Sequence, residues 1–295
     1  MEVIESHIVP EIESPIRFVD YVIGVFSELM TRNAVKKGIK KNRFRINSEL
    51  ATTGVWIVEG DVIELLQSSE KPKAYRLAID VLFEDNHLAI VFKPAGLIVS
   101  GNQFKTLENC LVEQVVPSGA DALDWALPVH RLDAQTSGLV IFAKTRTARR
   151  KLGEMLEDKL ITKEYHAVVH GAISSRVINS PIEDKASISE IEHIKTVPSV
   201  RGGQMSLVKL FPRTGRTHQL RIHCASAGWP IVGDKLHGDE NNTITHKGLF
   251  LAATALHFKH PITNDEINIE VRIPEKFVSL LNRELNWWER INAPS

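Results

Sequence analysis

His130-Arg131-Leu132-Asp133-Ala134-Gln135-Thr136-Ser137-Gly138 is the stretch that decides how the chain reads. Apolar Leu127-Pro128-Val129 leads into it, and Leu139-Val140-Ile141-Phe142-Ala143 leads out. Two hydrophobic runs around a polar interruption closed by glycine predict strand, loop, strand. Such a loop presents the Arg131 cation and the Asp133 carboxylate to a cleft at the strand end, and loops on a rigid scaffold are where chemistry concentrates. The same spacing suits a solvated hairpin in which both charges merely keep a sheet edge polar. The stretch alone leaves the two readings open.

Working outward, 295 residues allow a large domain and a small one. A hydrophobic share of 43% supports a sizeable core, yet no apolar run reaches the length of a bilayer span. The start, Met1-Glu2-Val3-Ile4-Glu5, lacks the basic segment and apolar run of a secretory signal. Cys110 and Cys224 are the two cysteines, so neither a disulfide framework nor a Cys-rich zinc site is expected. A cytoplasmic protein is predicted.

Formal net charge is zero, but its distribution is uneven. Between Thr31 and Arg45 stand Arg32, Lys36, Lys37, Lys40, Lys41, Arg43 and Arg45 with no acidic residue among them. Charge runs are often solvated faces. Seven cations in fifteen residues without a counter-charge favour phosphate binding instead. Arg146, Arg149, Arg150 and Lys151 form a smaller second cluster.

Residues 1–16, acidic and carrying Pro10 and Pro15, read as a tail. From Arg17, Phe18, Val22, Val25, Phe26 and Leu29 recur at helical spacing. Thr31 suits the cap of a second helix over Asn33–Ile39 that carries part of the basic run. Short strands follow at Phe44–Ile46 and Val55–Val58, then a turn at Gly60-Asp61 and a strand at Val62–Leu66. Two helices and a small sheet over residues 17–70 resemble the small RNA-binding domain first described in a ribosomal small-subunit protein.

A polar linker, Gln67 to Lys73, precedes a second domain over 76–295. Val81–Glu84 and Leu88–Phe92 predict a hairpin turned at Asp85-Asn86, and Lys93-Pro94-Ala95-Gly96 ends it. Thr106 suits the cap of a helix running to about Val116, and Ala148, Leu152, Met155, Leu156 and Leu160 mark an amphipathic helix. Lys163–Val169 alternates as a strand. Residues 172–204 are expected to be loops or a small hairpin, followed by a strand at Leu207–Leu210. Thr217 to Ala227 predicts a helix closed by Gly228 and Pro230. Strands are expected at Leu249–Phe258 and Ile267–Ile273. A final helix from Glu275 to about Glu289 places Phe277, Leu280, Leu281, Leu285 and Trp288 on one face.

Several common machines are absent from the sequence. There is no phosphate-binding Gly-rich loop ending in Lys-Ser/Thr and no dinucleotide fingerprint. His218 and His223 miss the i, i+4 spacing of a helical metal pair. Asp133 remains as a candidate nucleophile or base. Arg221 lies one helical turn from His218; if that face meets the Asp133 loop, Arg221 holds the carboxylate ionised in a poorly solvated cleft. Tyr165, on an alternating strand, offers a flat face for stacking on a base. A structural ion pair and a core tyrosine remain the ordinary alternatives.

At these residues the chain resembles the RluA-type pseudouridine synthases. "HRLDAQTSGLVIFAKT" matches the family's catalytic motif with Asp133 at its aspartate, "KEYHAVVHG" the second motif with Tyr165, and "GRTHQLRIH…GWPIVGD" the third with Arg221. "EDNHLAIVFKPAGL" and "LFLAATALHFKHP" resemble flanking segments, with Leu251 at the apolar position beside the uracil. Two departures concern substrate preference: His237 stands where an aromatic residue usually precedes the Gly of the third motif, and Ala252 where His is usual.

The resemblance implies an α+β fold: a mixed, largely antiparallel central sheet flanked by helices, with a central cleft, plus the small N-terminal RNA-binding domain. It implies isomerisation of uridine in structured RNA, a flipped target base, and neither cofactor nor metal. Asp133, Tyr165 and Arg221 are the expected catalytic set. Arg131, as a wedge in the vacated stack, with His130 and Leu251 would contact substrate, and Lys36, Lys37, Lys40 and Arg43 would hold RNA phosphates. Large-subunit ribosomal RNA acted on by a monomer is the expected case. Transfer RNA, or a non-catalytic RNA-binding or assembly role, is the alternative.

Overall fold

The computed structural model describes residues 3–26, 31–66, 71–200, 203–238 and 247–293. Elements in the N-terminal unit are β1 (Val3–Ile8), β2 (Ile16–Arg17), α1 (Phe18–Tyr21), α2 (Arg32–Lys40), β3 (Phe44–Ile46), β4 (Glu49–Leu50), β5 (Trp56–Ile57) and β6 (Val62–Leu66). Its four-stranded sheet has the order β1-β6-β3-β4, and β2 pairs with β5. Phe18, Val35, Phe44, Ile57, Ile63 and Leu65 fill a core of its own. A Cβ on Gly38 would come 2.7 Å from the Phe44 ring, so α2 and β3 pack at glycine distance.

Two expectations change here. Residues 3–8 are not tail: they pair antiparallel with β6, from Val3↔Leu66 to Ile8↔Val62. This edge strand is exposed or half-buried along its whole length, so backbone bonds hold it and no apolar alternation announces it. The helix expected from Arg17 is a single turn before irregular chain; Phe18, Val22 and Phe26 are buried as expected, while Leu29 lies outside the described residues. Arg32–Lys40 is helical as read, and Thr31 Oγ1 accepts the Ala34 N–H at 3.2 Å. Of the linker, residues 71–73 belong to a stretch without regular structure, and 67–70 lie outside the described residues.

The second unit continues with β7 (Asp80–Glu84), β8 (Leu88–Lys93), α3 (Leu107–Leu111), β9 (Ala122–Pro128), β10 (Ser137–Thr145), α4 (Arg146–Glu157) and β11 (Thr162–His170). After these come β12 (Arg176–Asn179), β13 (Ile188–Ser199), β14 (Gly203–Pro212), α5 (Gln219–Ser226), β15 (Leu251–Lys259), β16 (Glu266–Glu270) and α6 (Glu275–Asn292). One ten-stranded sheet runs β12-β13-β14-β11-β15-β10-β8-β7, with β16 on β15 and β9 on β10. Every pairing is antiparallel except β10 with β15. Leu88–Val91 and Leu139–Ala143 are fully buried, because each sheet face carries a core, which explains their continuous apolar runs.

Residues 172–204 differ most from the sequence reading. Of the loops or small hairpin expected there, a hairpin forms, β12 against β13, but β13 runs for twelve residues and also pairs along β14. The buried face of β13 includes Ser189 and Ser199 beside Ile191 and Val197, and a bulge between His193 and Lys195 shifts the register. Small polar residues and a broken period hide the strand from an apolar-alternation test. Smaller differences sit at helix ends. The α3 helix stops at Leu111, and α4 ends before left-handed Lys159, leaving Leu160 exposed. On α6, Phe277, Leu280 and Leu281 are buried and Leu285 packs against them, but Trp288 is exposed.

Candidate active site

The loop between β9 and β10 opens into a cleft of about 510 Å³ whose lining includes Asp133, Tyr165, Lys163, His218, Arg221 and Leu251. Gly138, at φ +123°, permits the arrangement. A Cβ there would stand 2.1 Å from the Ala253 carbonyl oxygen, where β10 meets β15 in parallel at Gly138↔Ala253. The Asp133 loop and Leu251 line the same cleft. The loop is braced from within: Thr136 N–H donates to Asp133 O at 3.1 Å, and Gly96 N–H to Ala134 O at 2.7 Å.

Lys93 supports the same loop. It is fully buried, and its ammonium donates to the carbonyls of Pro94, Leu97 and Ala134 at 3.0, 2.7 and 3.1 Å. Burial pushes its pKa down to about 8, and the charge of Asp133 pulls the other way.

Arg221 reaches Asp133 from α5, Nη1 to Oδ2 at 3.3 Å. Its other nitrogens are committed to Asp234: Nε to Oδ2 at 2.8 Å and Nη2 to Oδ1 at 2.7 Å. Burial opposes the charge of Arg221, but Asp234 and Asp133 more than restore it. Burial likewise opposes the charge of Asp234, while the Arg221 bonds and the N–H groups of Leu236 and His237 hold its carboxyl below the usual range. The helix is anchored by polar contacts to the unforeseen strand β13. Gln219 Nε2 donates to Ile188 O and Ser189 Oγ, each at 2.9 Å, and His223 Nδ1 is 2.8 Å from Ser189 Oγ. The helix expected from Thr217 starts at Gln219, after left-handed His218, which makes no side-chain cap bond.

His218 Nε2 lies 3.8 Å from Asp133 Oδ1, and its Nδ1 lies 3.0 Å from His237 Nε2. Burial lowers the pKa of His237. Tyr165 is 8% exposed, and burial, reinforced by the Asp133 charge, pushes its hydroxyl pKa up, so the ring stays a neutral platform. Leu251 is buried and lines the same cleft.

The expected substrate contacts divide. Arg131 is exposed and lines the cleft. His130 lines it too, but its Nε2 accepts the Ile141 N–H at 3.1 Å, and burial, with the Lys163 charge, lowers its pKa to about 3. Lys36, Lys37 and Lys40 are exposed on α2 and do not line the cleft. Arg43 is half-buried, and its Nε donates to Leu66 O at 3.2 Å. The second basic cluster serves the protein: Arg146 bonds Ala122 O, Arg150 pairs with Glu154, and Lys151 bonds Pro261 O.

Sequence reasoning did not nominate Asp234, Lys93, Lys163 or His218 for the site. Asp234 carried one legible signal, its place between Gly233 and Gly238. A Cβ would meet Gly248 O at 2.1 Å on Gly233 and Asp234 O at 2.3 Å on Gly238.

A family model described as RNA pseudouridylate synthase matches residues 87–226. The uncharacterized RNA pseudouridine synthase YhcT of Bacillus subtilis is 32% identical over 280 residues, covering 87% of this chain and 91% of that protein. Ribosomal large subunit pseudouridine synthase C of Pasteurella multocida is 33% identical over 283 residues, covering 88% and 86%. Among solved structures, human RNA pseudouridylate synthase domain containing 4 superimposes with a TM-score of 0.55 at 22% identity, covering 69% of this chain and 92% of that one, a likeness of fold. With those relatives and that motif order, the chain belongs to the RluA-type RNA pseudouridine synthase family.

Proposed function

We propose that the cleft isomerises uridine within structured RNA, most specifically large-subunit ribosomal RNA, with Asp133 as the group that meets the sugar. The observation that carries this reading is the convergence of Asp133, Arg221, Tyr165 and Leu251 on one cleft from four separate segments. In the reaction the N1–C1′ bond breaks, the uracil turns, and a C5–C1′ bond forms. The C5 proton is lost and N1 gains one, so no net oxidation occurs. Asp133 either attacks C1′ or removes a sugar proton, and Arg221 steadies its carboxylate. Tyr165 stacks on the turning base and Leu251 excludes water from it. The target leaves its helix to arrive there, with Arg131 at the cleft rim to occupy the gap.

Upstream, the small unit holds RNA through Lys36, Lys37, Lys40 and Arg43, in the manner of the ribosomal-protein domain it resembles. The alignment to the Pasteurella large-subunit enzyme covers 88% of this chain, more than residues 76–295 supply, so it extends into that unit. This supports the ribosomal reading. Incubating the protein with transcribed large-subunit ribosomal RNA and with transfer RNA, then mapping pseudouridine, tests it. Modification of discrete ribosomal uridines is expected. Modification of transfer RNA alone would move the substrate, and tight binding without any modification would favour the assembly role.

A further inference from the structure

Lys163 lies on β11 two residues before Tyr165, so both side chains leave the same strand face and line the cleft. The lysine is half-buried, yet its ammonium makes no hydrogen bond and no ion pair among the described residues. The other buried or half-buried lysines of this second unit are satisfied. Lys93 has three carbonyls, Lys144 has Glu84 at 2.6 Å, Lys209 has Glu164 at 3.1 Å, and Lys276 has Leu249 O at 2.7 Å. Burial lowers the Lys163 pKa, the signature of a cation without compensation. The cleft's acidic residues, Asp133 and Glu157, also line it, and neither pairs with Lys163. An ammonium withdrawn from water without a partner is unfavourable, and a chain retains one where a ligand supplies the missing charge.

We propose that Lys163 is a phosphate subsite: it receives a non-bridging oxygen of the phosphodiester flanking the target uridine. The proposal rests on the uridine-isomerising reading. A flipped nucleotide brings its own phosphates with it, and a base seated on Tyr165 sets one of them near the same strand face. The cation then does two things. It recovers in the complex the solvation it lacks in the free protein, and it fixes the sugar's approach to Asp133. Because phosphate is bound alike before and during the reaction, Lys163 is a binding and positioning residue whose loss acts on KM.

The test uses the full-length protein, an oligonucleotide carrying a site that the enzyme modifies, and two analogues with a neutral methylphosphonate on either side of the target. Lys163→Met is expected to raise KM about tenfold with kcat nearly unchanged, and to lower the log–log salt slope of binding by ~0.7 for a single-stranded contact. Lys163→Arg stays within about threefold of wild type, since it keeps the charge. One methylphosphonate should reproduce the defect in wild type and add nothing to it in Lys163→Met. Free Lys163→Met should melt no lower than wild type, because it loses an unpaired charge. An active wild type with unchanged KM and salt slope in Lys163→Met, or with additive losses for both analogues, overturns the subsite. A wild type that modifies no RNA overturns the underlying reading instead.

Discussion

Arg221 grips Asp234 through two hydrogen bonds of 2.7 and 2.8 Å, and that grip leaves Nη1 to reach Asp133 at 3.3 Å. Asp234 has no exposed side-chain surface and accepts the N–H groups of Leu236 and His237 as well. The guanidinium is therefore aimed before substrate arrives, by a carboxylate that does not itself line the cleft.

Asp234→Asn keeps the volume but turns one acceptor oxygen into a donor facing Arg221. We expect unfolding free energy to fall by ~3 kcal/mol, the range for breaking one side of a buried pair. With Arg221 released, kcat should drop about a hundredfold while KM changes little. Urea titration and single-turnover kinetics measure the two effects, and a stable variant with wild-type kcat would show that the grip is idle.

His130 gives the fold a pH dependence of defined sign. Its folded pKa is about 3, against 6.5 for the free ring, so between those values the unfolded chain binds the extra proton. Stability from this group is complete above pH 6.5 and declines as pH falls towards 3. His130→Gln retains an acceptor for Ile141 N–H without the titration. Relative to that variant, wild type should lose ~2 kcal/mol between pH 7 and pH 5. Parallel stability curves for the two proteins would contradict this.

Gly138→Ala should be among the most damaging single methyl additions. The new carbon would stand 2.1 Å from Ala253 O, and φ +123° is strained for alanine. Neither strand can yield, because each is paired on its other side, β10 with β8 and β15 with β11. A loss above ~3 kcal/mol and an inactive cleft are expected, read by thermal unfolding and by pseudouridine formation.

On α2, Lys36, Lys37, Lys40 and Lys41 are exposed, and their ammonium groups make no hydrogen bond or ion pair among the described residues. Reversing all four to Glu should leave the fold intact, since Val35, Gly38 and Ile39 form the buried face. RNA affinity should fall at least ~100-fold at low salt, and the gap should narrow as salt rises. Equal affinity across the salt series would show those lysines to be a solvated face.

The site was legible where chemistry and geometry share a short stretch. Asp133 and Gly138 lie five residues apart, and Arg221 reaches Asp133 from the helix read between Thr217 and Ala227; His218 also comes near Asp133, but from a left-handed position ahead of α5 and not from its helical face. What escaped was long-range. Asp234 meets Arg221 across thirteen residues, and Lys93 reaches Ala134 across forty-one, distances over which no local period operates. The strand β13 escaped for a different reason: its buried serines hold distant partners, Ser189 with Gln219 and His223 and Ser199 with Glu284, so they read as polar chain until α5 and α6 are placed against them. At the N-terminus, β1 is held by ladder bonds to β6, a partner some sixty residues away.

Asp133→Asn tests the central claim most directly. Arg221 keeps both bonds to Asp234 in that variant, so fold and RNA affinity should match wild type. Pseudouridine formed in a single turnover on a modifiable RNA should fall below ~0.1% of the wild-type rate, the scale of losing a covalent or acid–base group. A folded, RNA-binding Asp133→Asn protein that still modifies its target at a rate near wild type would contradict the account.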